Sequence, residues 1–219
     1  MAKLTKSEFI YLRHAVGFFA YLFVVWGFYR LLFQAPEPLE ELIVKPLVWI
    51  VPTYYLLKKE KENLKSIGFQ FENFFGVVYF VLMLGFIFSA FAFVVNYLKY
   101  DGFNFAANIG QTGFVWALVL SFFTAISEEV AFRGFIFTRL NKVIKNQWSA
   151  NLIASIGWTM IHLPIAVFDW KLPVMSLVVY ILMVFTFSFG ATFVFIRTKN
   201  IVAPILLHVL WQWPIILFR

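Results

Sequence analysis

Seven apolar runs divide this chain, near residues 9–33, 42–57, 74–98, 113–137, 148–168, 174–196 and 201–218. A membrane-crossing helix needs about 20 mostly apolar residues, so runs of this kind constrain the fold more than any other feature. Of the 219 residues, 62% are hydrophobic and 13% charged, and Phe alone occurs 30 times. A soluble domain of this size could not cover so much apolar surface, and exposed patches of that extent aggregate. The same figures exclude a disordered chain and a collagen-like repeat. The sequence therefore predicts an all-α fold: a polytopic transmembrane helix bundle of about seven spans, forming one integral membrane domain over residues 1–219. The second run is the weakest, being short and carrying Lys45, Pro46 and Pro52.

The net charge of +7 would suggest a nucleic-acid partner in a soluble chain. Here it fits cationic loops at an anionic membrane face, so the expected partner is the lipid bilayer and not nucleic acid. The absence of cysteine excludes disulfides, thiol catalysis and Cys-ligated zinc. With the N-terminus inside, the inner segments hold Lys3, Lys6, Lys58, Lys59, Lys61, Lys65, Arg139, Lys142, Lys145, Arg197 and Lys199. The outer ends hold Arg30, Lys45, Lys99, Lys171 and Arg219. That asymmetry obeys the positive-inside rule and predicts a cytoplasmic N-terminus and an outer C-terminus. A multi-pass protein of a bacterial plasma membrane is the expected setting.

Charge at membrane depth costs roughly 2.5–3.5 kcal/mol per group on insertion scales and marks function when it occurs. Three runs bear such groups. The fourth reads Ser127-Glu128-Glu129-Val130-Ala131-Phe132-Arg133. Glu129 and Arg133 stand four apart with the acid first, the favourable order for a helical ion pair. Glu128 points about 100° away, in line with Ser121 and Thr124, and has no partner on its own helix. The fifth run carries Trp158 and His162, and the seventh carries His208 and Gln212 four apart. At about 1.5 Å per residue, Glu128, His162 and His208 fall roughly 10–20 Å below the inner face. Topology read from loop charge alone thus puts all three in one slab. Lys45 can snorkel outward, or Lys45-Pro46 can lock a local kink in an apolar helix.

At these residues the chain resembles the CPBP family of CAAX prenyl proteases and bacteriocin-processing enzymes, also called the Abi family. Its E-E-x-x-x-R motif is similar to Glu128 through Arg133. Its F-x-x-x-H motif is similar to Trp158 through His162, with Trp in place of Phe, and its H-x-x-x-N/D motif is similar to His208 through Gln212, with Gln in place of Asn or Asp. The resemblance covers about residues 110–215. It implies an intramembrane endopeptidase acting on a peptide or a membrane-anchored protein. Glu128, helped by His162, would activate a water, and His208 and Gln212 would donate to the oxyanion. Glu129 and Arg133 would hold the site's geometry, and Trp158 would wall the substrate pocket. The resemblance leaves metal dependence open. No cofactor is the first expectation; zinc on Glu128, His162 and His208 is the alternative, although no H-E-x-x-H spacing is present. A non-catalytic scaffold or bacteriocin self-immunity protein of the same fold, and a proton-coupled transporter, are the competing functions.

Overall fold

A computed structural model of the chain describes residues 4–33, 35–70, 72–102 and 113–217. Of the charges assigned above, Lys3, Arg219 and the side chains of Arg30 and Lys99 lie outside the described ones. Helix α1 (Lys6–Leu32) opens on a capping box, in which Thr5 Oγ1 accepts from the Glu8 amide and the Glu8 carboxylate accepts from the Thr5 amide. A short turn, α2 (Glu37–Leu39), leads through a π-helical turn (Glu40–Val44) into α3 (Lys45–Glu60). Then follow α4 (Phe74–Tyr100) and α5 (Phe114–Glu129). Helix α5 runs on through a π-helical segment (Val130–Phe137) into α6 (Thr138–Ile144). Helix α7 (Gln147–Pro164) ends in another π turn (Ile165–Asp169), and α8 (Val174–Thr198) and α9 (Val202–Leu217) complete the described chain.

The all-α bundle expected from the sequence is what forms, and no strand occurs among the described residues. Span lengths can be compared among the described residues alone. Four helical stretches are long and apolar enough to cross a membrane: Lys6–Tyr29, Val115–Ile144, Gln147–Asp169 and Val174–Thr198. Phe74–Ala90 and Val202–Gln212 are shorter apolar helices among the described residues. Helix α3 is in neither group, because its 16 residues begin at Lys45 and end on Lys58, Lys59 and Glu60. The chain is an integral membrane protein, and its outer surface suits that: Phe75, Phe86, Val174 and Met175 are exposed on different helices.

The core follows from helical spacing. Ala15, Phe18, Leu22 and Trp26 recur every three or four residues and bury one face of α1. They meet Trp49 of α3 and Phe132 and Phe135 of the π segment, all nearly inaccessible. On the other side α7 packs on α8, and α9 packs on α4, α5 and α8. The whole π segment is buried, so the stretch that carries Arg133 sits in the middle of the molecule.

One end of the bundle is sewn together by polar groups. Arg139 pairs with Glu60 at 2.8 Å, both side chains fully buried, and also donates to Ser66. His14 reaches the other oxygen of Glu60 at 2.9 Å. Lys142 pairs with Glu62, whose carboxyl is held below the usual glutamate range chiefly by that ammonium. Lys145 pairs with Glu8, and Asn200 donates to the Gln70 carbonyl. Helices α3, α6 and α8 all stop here on a left-handed lysine: Lys61, Lys145 and Lys199. A cation just past a helix C-terminus complements the negative end of the macrodipole. The bundle therefore concentrates base at this end for a local reason, and the loops grouped by charge in the sequence are the ones that meet. With no native cysteine to interfere, K61C, K145C and K199C in membrane vesicles are expected to react with an impermeant maleimide from the same side, and K171C from the opposite side. Labelling of the Lys61 and Lys199 positions from opposite faces would contradict the fold.

Candidate functional site

Polar residues at membrane depth from the π segment, α7 and α9 meet around Trp158. This indole is 2% exposed. The Arg133 guanidinium lies over it at 4.1 Å, and the rings of Phe132, His162 and His208 surround it with centroids 4.9, 5.0 and 5.9 Å away. The expectation that Trp158 walls an open pocket meets a different geometry. It is enclosed, and its contact with both histidines makes it the packing support behind them.

Glu129 and Arg133 form the expected ion pair, at 3.1 Å and with both side chains at most 1% exposed. The pair survives although Arg133 lies in the π segment, whose wider turn begins right after Glu129. Such insertions are frequent at functional sites. His208 reaches the same oxygen, with Nδ1 2.7 Å from Glu129 Oε1. Arg133 also donates to the Ser188 carbonyl. Glu129 Oε2 and Arg133 Nε are buried without a hydrogen-bond partner among the described residues. A bridge left half-satisfied in this way is a costly structural element.

The hydrogen bonds specify both imidazole tautomers. His162 Nδ1 lies 2.8 Å from the Trp158 carbonyl, which can only accept, so Nδ1 carries the proton and a neutral ring keeps its lone pair on Nε2. His208 Nδ1 faces a carboxylate oxygen, so its neutral ring likewise keeps the lone pair on Nε2. That nitrogen accepts from Gln212 Nε2 at 3.1 Å. Neutral His208 therefore holds the Gln212 amide and has no proton left to donate from Nε2.

Glu128 meets a neighbouring helix. It has no helix-mate, as its phase on α5 requires, but it is not without a partner. Lys45 Nζ lies 2.8 Å from Glu128 Oε1, with the side chains 3% and 8% exposed. The same ammonium is 2.8 Å from Glu41 Oε2, which also accepts from Thr124 Oγ1. Lys45 does not snorkel outward; it turns into the bundle because two carboxylates await it there. His162 and His208 both lie within electrostatic reach of Glu128.

Sequence reasoning missed Glu41 and Lys45. A signal was present: Glu40-Glu41-Leu42-Ile43-Val44-Lys45 has the same acid-acid-x-x-x-base spacing as Glu128 through Arg133. Both copies sit at a π-helical turn, and in both the second acid pairs with the base four residues on.

Each of Glu128, His162 and His208 has a ligand atom engaged by another partner, and no group of three His, Asp or Glu side chains among the described residues is disposed to hold a metal ion.

Residues 109–214, just under half of the chain, match the family described as type II CAAX prenyl endopeptidase, Rce1-like. This supports the helical scaffold of a CAAX-type membrane endopeptidase. The match spans all three motif segments. No curated protein matches the chain.

The buried pair allows a stability test. Removing one partner of such a pair typically costs about 3–5 kcal/mol, because the other charge is left buried. R133L is expected to lose that much in urea or thermal unfolding in detergent, and E129Q/R133L is expected to recover part of it.

Proposed function

We propose that this protein is a membrane-embedded endopeptidase that hydrolyses a peptide bond in a membrane-anchored protein or peptide, using a water activated by Glu128. The supporting observation is the convergence of Glu128, Glu129, His162, His208 and Gln212 from three helices on one buried aromatic centre, inside the stretch that matches the prenyl endopeptidase family.

In this reading Glu128 removes a proton from water while His162 Nε2 accepts the water's second hydrogen. The oxygen attacks the scissile carbonyl carbon, and the C=O electrons move onto the oxygen. Gln212 has two amide hydrogens. One goes to His208, and the other donates to the oxyanion, a role worth roughly a hundredfold to a thousandfold in kcat in enzymes where it has been removed. When the intermediate collapses, the C–N bond breaks and the proton on Glu128 passes to the leaving nitrogen. Glu129 and Arg133 act through His208, fixing the ring that fixes Gln212. This ordering gives the long arm of Gln212 a use, since it lies back along its own helix against His208.

The reading is metal-free. The basic end faces the cytoplasm of a bacterial plasma membrane, as the excess of lysine there supports, and the substrate's cleavable segment enters from that side.

The test is cleavage of a farnesylated CAAX-type fluorogenic peptide by the full chain in liposomes. General-base catalysis contributes about a hundredfold or more, so E128Q is expected to lose at least that in kcat, and Q212A to lose about a hundredfold. EDTA is expected to leave the rate unchanged. Full activity in E128Q would overturn the base assignment, and loss on chelation restored by zinc would overturn the metal-free mechanism. Absence of cleavage by the wild type would favour a non-catalytic scaffold or immunity protein, and proton flux dependent on Glu128 would favour a transporter.

A further inference from the structure

We infer that Lys45 is a positioning residue for the reaction: held by Glu41, its ammonium fixes Glu128 Oε1 and keeps Glu128 a carboxylate, so that the other oxygen serves as the base. This rests on the endopeptidase reading above and extends it to a residue outside the stretch that matches the family, which begins at residue 109.

A carboxylate buried among apolar side chains without a partner protonates, because desolvation penalises the charged form. A protonated Glu128 could not accept a proton from water. Arg133 and His208, the basic groups nearest in the motif, are committed to Glu129. Among the described residues, Lys45 is the cation that touches Glu128. Its three hydrogens face Glu128, Glu41 and the ring of Trp26, whose centroid is 5.1 Å from Nζ, so the ammonium is confined on every side. Glu41 is itself pinned by Thr124, one turn before Glu128 on α5. The chain of contacts therefore closes on the helix it started from. The groups facing Glu128 are Lys45 from α3, Glu41 from the π turn through that lysine, Arg133 from the π segment, His162 from α7 and His208 from α9.

The arrangement also separates a positioning role from a structural one. K45M leaves two buried carboxylates, Glu41 and Glu128, facing each other without their cation, whereas the double variant E41Q/K45Q removes that like-charge pair and still leaves Glu128 without Lys45. If Lys45 serves only to separate two like charges in the fold, the double variant recovers turnover along with stability.

The experiment measures kcat, KM and melting temperature for wild type, E128Q, K45M and E41Q/K45Q in liposomes with the same farnesylated peptide. K45M is expected to lower kcat by about a hundredfold, the effect of misplacing a reacting group, with KM changed less than about twofold. E41Q/K45Q is expected to melt higher than K45M and yet remain as slow. Should K45M not fold, the double variant still gives the answer. A kcat within about threefold of wild type in either variant, with E128Q inactive, would overturn the role of Lys45 and leave the base assignment standing. Full activity in E128Q would remove both.

Discussion

Two adjacent carboxylates inside an apolar bundle are the constraint on which the rest of this structure depends. Side by side on one helix they point about 100° apart, so one cation could not serve both. The fold solves this by bringing a separate cation to each. Glu129 takes Arg133 from its own chain segment, and Glu128 takes Lys45 from α3. The packing of α3 against α5 and the π segment is therefore not only apolar contact such as that between Trp49 and Phe132. It is also the delivery of a charge that α5 cannot supply to itself. Sets of ion pairs this deep are poor sources of net stability, since desolvation offsets most of the attraction. Their persistence here, with two buried atoms of the Glu129–Arg133 bridge still unpartnered among the described residues, points to chemistry as the reason for keeping them.

Much of the site could be read from the chain because its geometry is local. Glu129 with Arg133, and His208 with Gln212, are four-residue pairs on single helices, and periodicity alone places them on common faces. The shared depth of Glu128, His162 and His208 followed from loop charge, and the loops so grouped do meet at one end of the bundle. Lys45 was misread for the opposite reason. Its partner on α5 is far away in the sequence, and hydropathy treats a lysine near the end of a weak apolar run as an outward anchor. Only the repeated acid-acid-x-x-x-base spacing held the contrary signal.

Tautomers were also beyond the sequence, and they change which residue does what. A histidine four residues before a glutamine suggests two equal donors. Once Glu129 claims His208 Nδ1, the neutral ring has only an acceptor to offer, and the glutamine amide becomes the donor with a hydrogen to spare. The polarity of the whole relay is thus set by the carboxylate at its far end. It runs from Glu129 through His208 to Gln212, with Arg133 fixing the starting point.

The π-helical segment after Glu129 ties these features together. A regular α-helix would continue the phase of α5 into the run of Phe132, Phe135 and Ile136, whereas the wider turn rotates the residues beyond it. Arg133 keeps its contact with Glu129 and still lies over the Trp158 ring, while Phe132 and Phe135 reach Trp158 and Phe18 on other sides. The second such turn, before Lys45, does the same for Glu41 and its base. In both places a local departure from α geometry accompanies an acid that must hold its own cation while its neighbourhood packs against another helix. That pairing of an irregular backbone with a buried charge is what an apolar bundle requires if it is to keep ionised groups in fixed positions without opening itself to water.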